Sequence, residues 1–237
     1  MTIESVINEV FEKVNIDFDK LILFGFTKRQ DCFYYSRLFY EDSFEARVFV
    51  DFDKKVTGYV YDVELGEPFY QLNFQEEIGS FSKMIKDKYV QILIEIKNNC
   101  GDILPFKSNQ ANRIANLVYE KYNEKVDFPF KEDEAGVFRS KINQKWYGIV
   151  MNVLKSKVTK NILDNCFVDV INVKVKEDKY DKLITKQNIY KAYHMANKKW
   201  ISIILDDSLN DEKILDFIDE SRNLVIEKGG KKWNYYF

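Results

Sequence analysis

Phe44-Glu45-Ala46-Arg47-Val48-Phe49-Val50-Asp51-Phe52 alternates in character along nearly its whole length. Phe44, Ala46, Val48, Val50 and Phe52 fall on one face, and Glu45, Arg47 and Asp51 on the other. Successive side chains of a strand point to opposite faces, so this period of two describes a strand with one face in a core. Two further strand-like runs flank it: the aromatic-rich residues 32–40, and residues 56–63, Val-Thr-Gly-Tyr-Val-Tyr-Asp-Val. Only Glu41-Asp42-Ser43 and Asp53-Lys54-Lys55 separate the three. Connections this short join antiparallel neighbours, so the region reads as a β-meander buried on one face.

Helical periods bracket the meander. Val6, Ile7, Val10, Phe11 and Val14 form a stripe within residues 4–14. From 75 to 97, Ile78, Phe81, Ile85, Tyr89, Ile92 and Ile96 fall three or four apart, which predicts a helix roughly 30 Å long. Asn98-Asn99-Cys100-Gly101-Asp102 follows, and Gly101 is suited to closing a helix. The domain junction is placed there.

The pattern then restarts. A helix is expected near 108–123, strands at 136–141, 146–153 and 167–175, a short helix near 178–186 and a strand at 200–205. Ser208-Leu209-Asn210-Asp211 reads as a capping box. The helix behind it turns Ile214, Phe217 or Ile218, Ser221 and Val225 inward and ends at Gly229-Gly230. The expected fold class is α+β: two domains, residues 1–100 and 101–237, each an antiparallel meander covered by helices.

Bulk properties agree with a folded, soluble chain. Of 237 residues 46% are hydrophobic and 31% charged, enough to fill a core and keep a polar surface. The apolar runs are far shorter than the roughly 20 residues that span a bilayer. The start, Met-Thr-Ile-Glu-Ser, lacks a basic-then-apolar signal segment, so a cytoplasmic protein without membrane association is expected. Cys32, Cys100 and Cys166 are odd in number and far apart, which predicts reduced, mostly buried thiols and no zinc ribbon. The net charge of −2 is uneven: −6 over residues 1–100, from 12 basic and 18 acidic, and +4 over the rest, from 24 and 20.

Three passages of the second half carry a family resemblance. They are Val137-Phe138-Arg139 to Trp146-Tyr147-Gly148-Ile149, then Ile171-Asn172-Val173-Lys174-Val175, and above all His194-Met195-Ala196-Asn197-Lys198-Lys199-Trp200 ahead of an apolar strand, an acidic turn and an acidic helix. With this order, residues 105–227 resemble the MmcQ/YjbR family. The family pattern reads His-Met-Asn-Lys, a variable residue, His and Trp; here Lys199 stands at the second histidine. Leu23-Phe24-Gly25-Phe26-Thr27 and the first meander look like the extra N-terminal domain of some relatives. The resemblance implies a two-layer domain similar to secretion-chaperone-like and frataxin-like folds. It also implies DNA binding through a double wing of β-hairpins, and no enzymatic activity.

The residues themselves offer one clue toward nucleic acid. Between Ala135 and Leu163 there is no Asp or Glu, while Arg139, Lys141, Lys145, Lys155, Lys157 and Lys160 give a local charge of +6. Lys141 and Lys145 flank the turn of a hairpin, and Lys198 and Lys199 could join the same surface, as could Lys174 and Lys176 at the end of their strand. Basic hairpin ends neutralise phosphates and release counterions, so low-specificity DNA binding is the leading expectation. Against it stand a pI of about 5.7 and the frequency of solvated lysine faces.

Other chemistry is thinner. His194 is the only histidine, either an acid/base group or, more commonly, a structural ring bonded to backbone. Trp200 could stack on a ligand, but a tryptophan opening Trp-Ile-Ser-Ile-Ile-Leu usually anchors a core. Asp133-Glu134 and Asp206-Asp207 are adjacent pairs in turn-like contexts and do not converge. The tail Gly229–Phe237 is aromatic and basic and suits packing on the body. No catalytic residue, metal site or cofactor is expected. The alternatives to DNA binding are a protein-interaction or chaperone-like adaptor, and a small-molecule binder or enzyme with a pocket near His194.

Overall fold

The computed structural model describes residues 2–74, 79–130, 134–195 and 198–227. The chain forms two compact units, Met1–Leu104 and Pro105–Phe237.

In the first unit, helix α1 (Ile3–Val10) starts at Thr2, whose hydroxyl accepts from the Ser5 N–H. Strand β1 (Val14–Ile16) follows, then α2 (Phe18–Phe24). Asp17 caps α2, and Gly25 at φ +117° closes it, a left-handed conformation that favours glycine. Strands β2 (Thr27–Lys28), β3 (Cys32–Phe39), β4 (Phe44–Asp51), β5 (Val56–Asp62) and β6 (Glu67–Pro68) form one antiparallel sheet in sequence order. The alternation of β4 is the packing: Phe44, Ala46, Val48 and Val50 are buried. Helix α3 (Ser80–Cys100) covers them with Ile85, Tyr89, Ile92, Leu93 and Ile96. Phe81, expected inward, is exposed, and Ser82 takes the inner position. Ile78 lies outside the described residues.

Gly101 does end α3, yet the unit continues to Leu104. Strand β7 (Gly101–Ile103) pairs with β1, and a Cβ at Gly101 would meet Val14 Cγ1 at 2.3 Å. The boundary therefore falls after Leu104 rather than after Cys100, because this return pairing claims residues 101–103. Val14, expected on the first helix, belongs to that pair.

The second unit contains α4 (Asn109–Tyr122), β8 (Gly136–Arg139), β9 (Trp146–Leu154), α5 (Ser156–Thr159), β10 (Phe167–Lys174), α6 (Glu177–Leu183), β11 (Tyr190–Lys191), β12 (Trp200–Ile204) and α7 (Asp211–Glu227). Its antiparallel sheet has the order β11-β12-β10-β9-β8. One core holds Ile114 and Val118 of α4, Phe138, Tyr147, Ile171 and Ile201 of the sheet, and Ile214, Phe217 and Ile218 of α7. Each such side chain contributes about 1.5–3 kcal/mol by leaving water. The cap of α7 is Asn210, whose Oδ1 accepts from the Lys213 N–H at 2.9 Å. Ser208 was the expected cap; the helix begins closer to Asp211 and Asn210 stands at the right spacing.

The fold is thus α+β: each unit has a five-stranded antiparallel sheet with helices packed on it, and β1 and β7 form a separate two-stranded one. Among the described residues no helix is long and apolar enough to cross a membrane. The thiols differ from expectation: only Cys100 is buried, Cys32 is half-buried and Cys166 exposed. Burial pushes the Cys100 thiol up to about 11, which keeps it protonated and inert at neutral pH.

Candidate nucleic-acid interface

The hairpin between β8 and β9 turns through residues 140–145 and is braced from three sides. Ser140 N–H donates to the Lys145 carbonyl at 3.0 Å. Asn143 Nδ2 donates to the Val225 carbonyl of α7 at 2.8 Å. Lys141 N–H donates to Glu124 Oε1 at 2.8 Å. Glu124 is only 2% exposed. Its carboxylate also accepts from Arg222 at 2.8 and 3.0 Å and from the Tyr147 hydroxyl at 2.8 Å. Burial alone would raise this carboxyl, but the Arg222, Lys141 and Tyr147 hydrogen bonds outweigh it and hold it below the usual range. Burial first, and the bond to Glu124 second, push the Tyr147 phenol far up, so it stays a donor.

The basic residues of 135–163 do not form one surface. Arg139, Lys141 and Lys145 stand at the hairpin tip, and Lys155, Lys157 and Lys160 follow the far end of β9. The nine residues of β9 separate the groups by about 27 Å. Arg139 is committed locally: Nε donates to Asp127 at 2.7 Å and the guanidinium lies 5.1 Å from the Trp146 ring. In the far group Lys155 reaches Asp206 at 3.4 Å. Burial would lower the Lys155 ammonium, yet the bond to Asp206 raises it. Lys160 Nζ donates to the Lys157 carbonyl at 2.8 Å, and both lysines are exposed.

Antiparallel return of the chain supplies the tip with other cations. Val173 sits opposite Gly148 and Lys174 opposite Trp200, so the end of β10 and the start of β12 arrive beside the hairpin. Lys145, Lys174, Lys176 and Lys199 line one recess of about 400 Å³ together with Glu177 and Asp178 and with the apolar Val175, Trp200, Leu224 and Val225. Lys199 approaches Glu177 at 3.5 Å and Lys198 approaches Asp181 at 3.8 Å, both exposed pairs of small energetic weight. Lys174 Nζ lies 5.0 Å from the Trp200 ring centroid. The sequence offers Lys174, Lys176 and Lys199 only as additions to the acid-free run; the adjacency of strand ends is what brings them to Lys145 and away from Lys155, Lys157 and Lys160.

His194 is exposed at φ +54°, its ring centroid 4.1 Å from that of Tyr193 in an edge-on arrangement. It does not line the recess that Trp200 lines, so the two signature residues do not share that cavity. What holds its loop is a buried polar seam. Ser202 Oγ donates to Asn172 Oδ1 at 2.6 Å and accepts from Tyr193 N–H at 2.9 Å, while Asn172 Nδ2 donates to the Tyr193 carbonyl at 2.8 Å. The passages at 171–175 and 193–204 are therefore parts of one hydrogen-bonded unit. Trp200, 7% exposed, anchors it.

The Asp206-Asp207 pair diverges. Asp206 faces Lys155, and Asp207 pairs with Arg113, which Asp211 also holds at 2.7 Å. Asp133 and the tail 229–237 lie outside the described residues. Among the described residues no cluster of three or more His, Cys, Asp and Glu side chains could hold a metal ion.

Comparison with known proteins falls on this second unit. The YjbR family model matches residues 119–224. The uncharacterized protein YyaQ of Bacillus subtilis is 34% identical over 109 residues, 46% of this chain and 91% of that one. A crystal structure of a Pseudomonas syringae protein is 32% identical over 49% of this chain and 97% of that one, with a TM-score of 0.46. A Deinococcus radiodurans crystal structure is 22% identical over 49% and 81%, with a TM-score of 0.38. Through its second unit, the chain belongs to the YjbR family.

Proposed function

We propose that the second unit is a non-catalytic binding module that engages the phosphate backbone of DNA, with low sequence specificity, through the hairpin end of its sheet. One observation carries this reading: Lys145, Lys174, Lys176 and Lys199 gather at one recess, with Lys141 and Lys198 exposed on the adjoining turns. Lysine supplies point charge without the planar fork that reads bases, which suits backbone contact. The β8–β9 hairpin, pinned to α7 and to Glu124, is a rigid wing. Arg139 serves the wing's own structure through Asp127.

Fluorescence anisotropy with a labelled duplex tests it. Four phosphate contacts weaken binding roughly 100-fold between 50 and 200 mM salt. Lys145→Ala with Lys176→Ala flattens that slope, and Lys157→Ala with Lys160→Ala does not. Affinity indifferent to salt, or equal losses from both pairs, removes the proposal.

One observation favours a second reading, a protein-interaction adaptor. Ile162, Leu163 and Phe167 are 89%, 84% and 69% exposed. Their loop is ordered by Thr159 Oγ1 donating to Asp164 at 2.6 Å and Leu163 N–H donating to Asn161 Oδ1 at 3.1 Å. Large apolar tips held out this way mark contact surfaces. If the partner is a second copy, sedimentation must depend on concentration and lose that dependence on Ile162→Asp; invariant sedimentation discards self-association.

A further inference from the structure

We infer that the recess lined by Trp200 is a binding site for a small phosphomonoester with a compact apolar or planar body, distinct in occupant from duplex DNA. Its volume, about 400 Å³, falls in the range of small-ligand pockets, roughly 300–1,000 Å³. Its charge has a definite balance: four lysines and two carboxylates line it, 4 − 2 = +2, which complements a phosphate dianion. Its floor is apolar, from Val175, Trp200, Leu224 and Val225. A bare phosphate leaves that floor uncovered, whereas an ester with a ring or short hydrocarbon occupies it.

The walls are fixed by backbone bonds, so the cations converge before any ligand arrives. Asn143 ties the hairpin to the Val225 carbonyl at 2.8 Å. Ser221 Oγ accepts from the Lys174 N–H at 2.8 Å, fixing the end of β10 to α7. Val175 N–H donates to the Lys199 carbonyl at 3.0 Å, joining the two lysine-bearing segments. Three elements thus deliver Lys145, Lys174 and Lys199 from rigid backbone, which reduces the ordering cost of binding. Lysine ammonium groups suit phosphate oxygens as point charges. Trp200, 7% exposed and with Lys174 Nζ near its ring, contributes part of the apolar lining.

Isothermal titration of the full chain at low ionic strength tests this, with AMP as probe and inorganic phosphate and adenosine as controls. AMP binds more tightly than either control. Lys145→Ala and Lys176→Ala each weaken it roughly fivefold, the worth of about 1 kcal/mol per charge contact. Leu224→Trp, which fills the apolar lining without changing charge, abolishes AMP binding, whereas Lys141→Ala, outside the recess, weakens duplex binding and leaves AMP binding unchanged, so this site and the DNA interface fail separately. Binding of adenosine equal to AMP overturns the inference, as does equal affinity for inorganic phosphate. AMP binding unmoved by the lysine and Leu224 variants overturns it as well.

Discussion

Removing the Glu124 carboxylate should destabilise the second unit more than any surface substitution. Glu124 accepts four hydrogen bonds, two from Arg222, one from Tyr147 and one from the Lys141 backbone, and its side chain is 1% exposed. Glu124→Ala leaves a guanidinium 14% exposed, a buried phenol and a backbone N–H without their acceptor. Breaking a buried pair by deleting one partner costs about 3–5 kcal/mol. Glu124→Gln keeps an acceptor but loses the charge, and about 1–3 kcal/mol is expected. Glu124→Leu combined with Arg222→Leu should cost less than Glu124→Ala, since no charge is stranded. The assay is urea unfolding of the full chain followed by tryptophan fluorescence. Trp146, Trp200 and Trp233 all lie within residues 105–237, so the signal reports that unit. Acid supplies a second check. The folded carboxyl sits below its unfolded value, so its contribution is fully present above about pH 4.3 and is lost as pH falls through the lower folded pKa. Glu124→Gln should abolish that part of the acid slope. A loss under about 1 kcal/mol for Glu124→Ala would refute the reasoning, because the carboxylate would then be solvated rather than buried in a network.

Two further predictions concern local structure. Asn210→Ala should cost the second unit about 1 kcal/mol, the usual worth of an N-cap, and Ser208→Ala less than half of that, read from tryptophan fluorescence midpoints; equal losses would restore Ser208 as the cap. Gly58→Ala should destabilise the first unit by roughly 1–3 kcal/mol, since the added Cβ would lie 2.5 Å from both the Arg47 carbonyl and the Tyr89 hydroxyl. Circular dichroism melting reads that loss, and an unchanged curve would mean the strand shifts freely.

Much of the fold was legible because its main elements are long and half-buried. Strand β4 shows the alternation that burial enforces, and α4 and α7 carry stripes over three or more turns. What escaped is short. Helix α2 has seven residues and buries only Leu21, too little for a period, and its stop at Gly25 is visible only once the turn is known. Strands β2, β6, β7 and β11 have two or three residues, too few to show a period, and β7 pairs with β1 from the far end of its unit. The candidate site divides the same way. Lys141 and Lys145 were legible as a hairpin tip. The acid-free run, however, reads as one patch only if β9 is ignored, and it separates Lys145 from Lys157. Conversely, Lys145 meets Lys174, Lys176 and Lys199 through strand pairing across tens of residues. Linear charge density has no access to that geometry.

The two-residue strand β11 has a consequence for the chain's solubility. It pairs Tyr190 with Ser202 and Lys191 with Ile201, and among the described residues it is the strand that closes the outer side of β12. Strand β12 and the residue after it, Trp-Ile-Ser-Ile-Ile-Leu, combine high strand propensity with no charge and no proline, the composition of segments that stack into amyloid. Natural sheets guard such edges with short or charged strands, and Lys191 does so here. Loosening the α6–β11 segment, by nicking or by substitution at 190–191, would present an uncapped template to other copies. Aggregation of this protein should therefore begin at its most deeply buried strand, well before the core around it has melted.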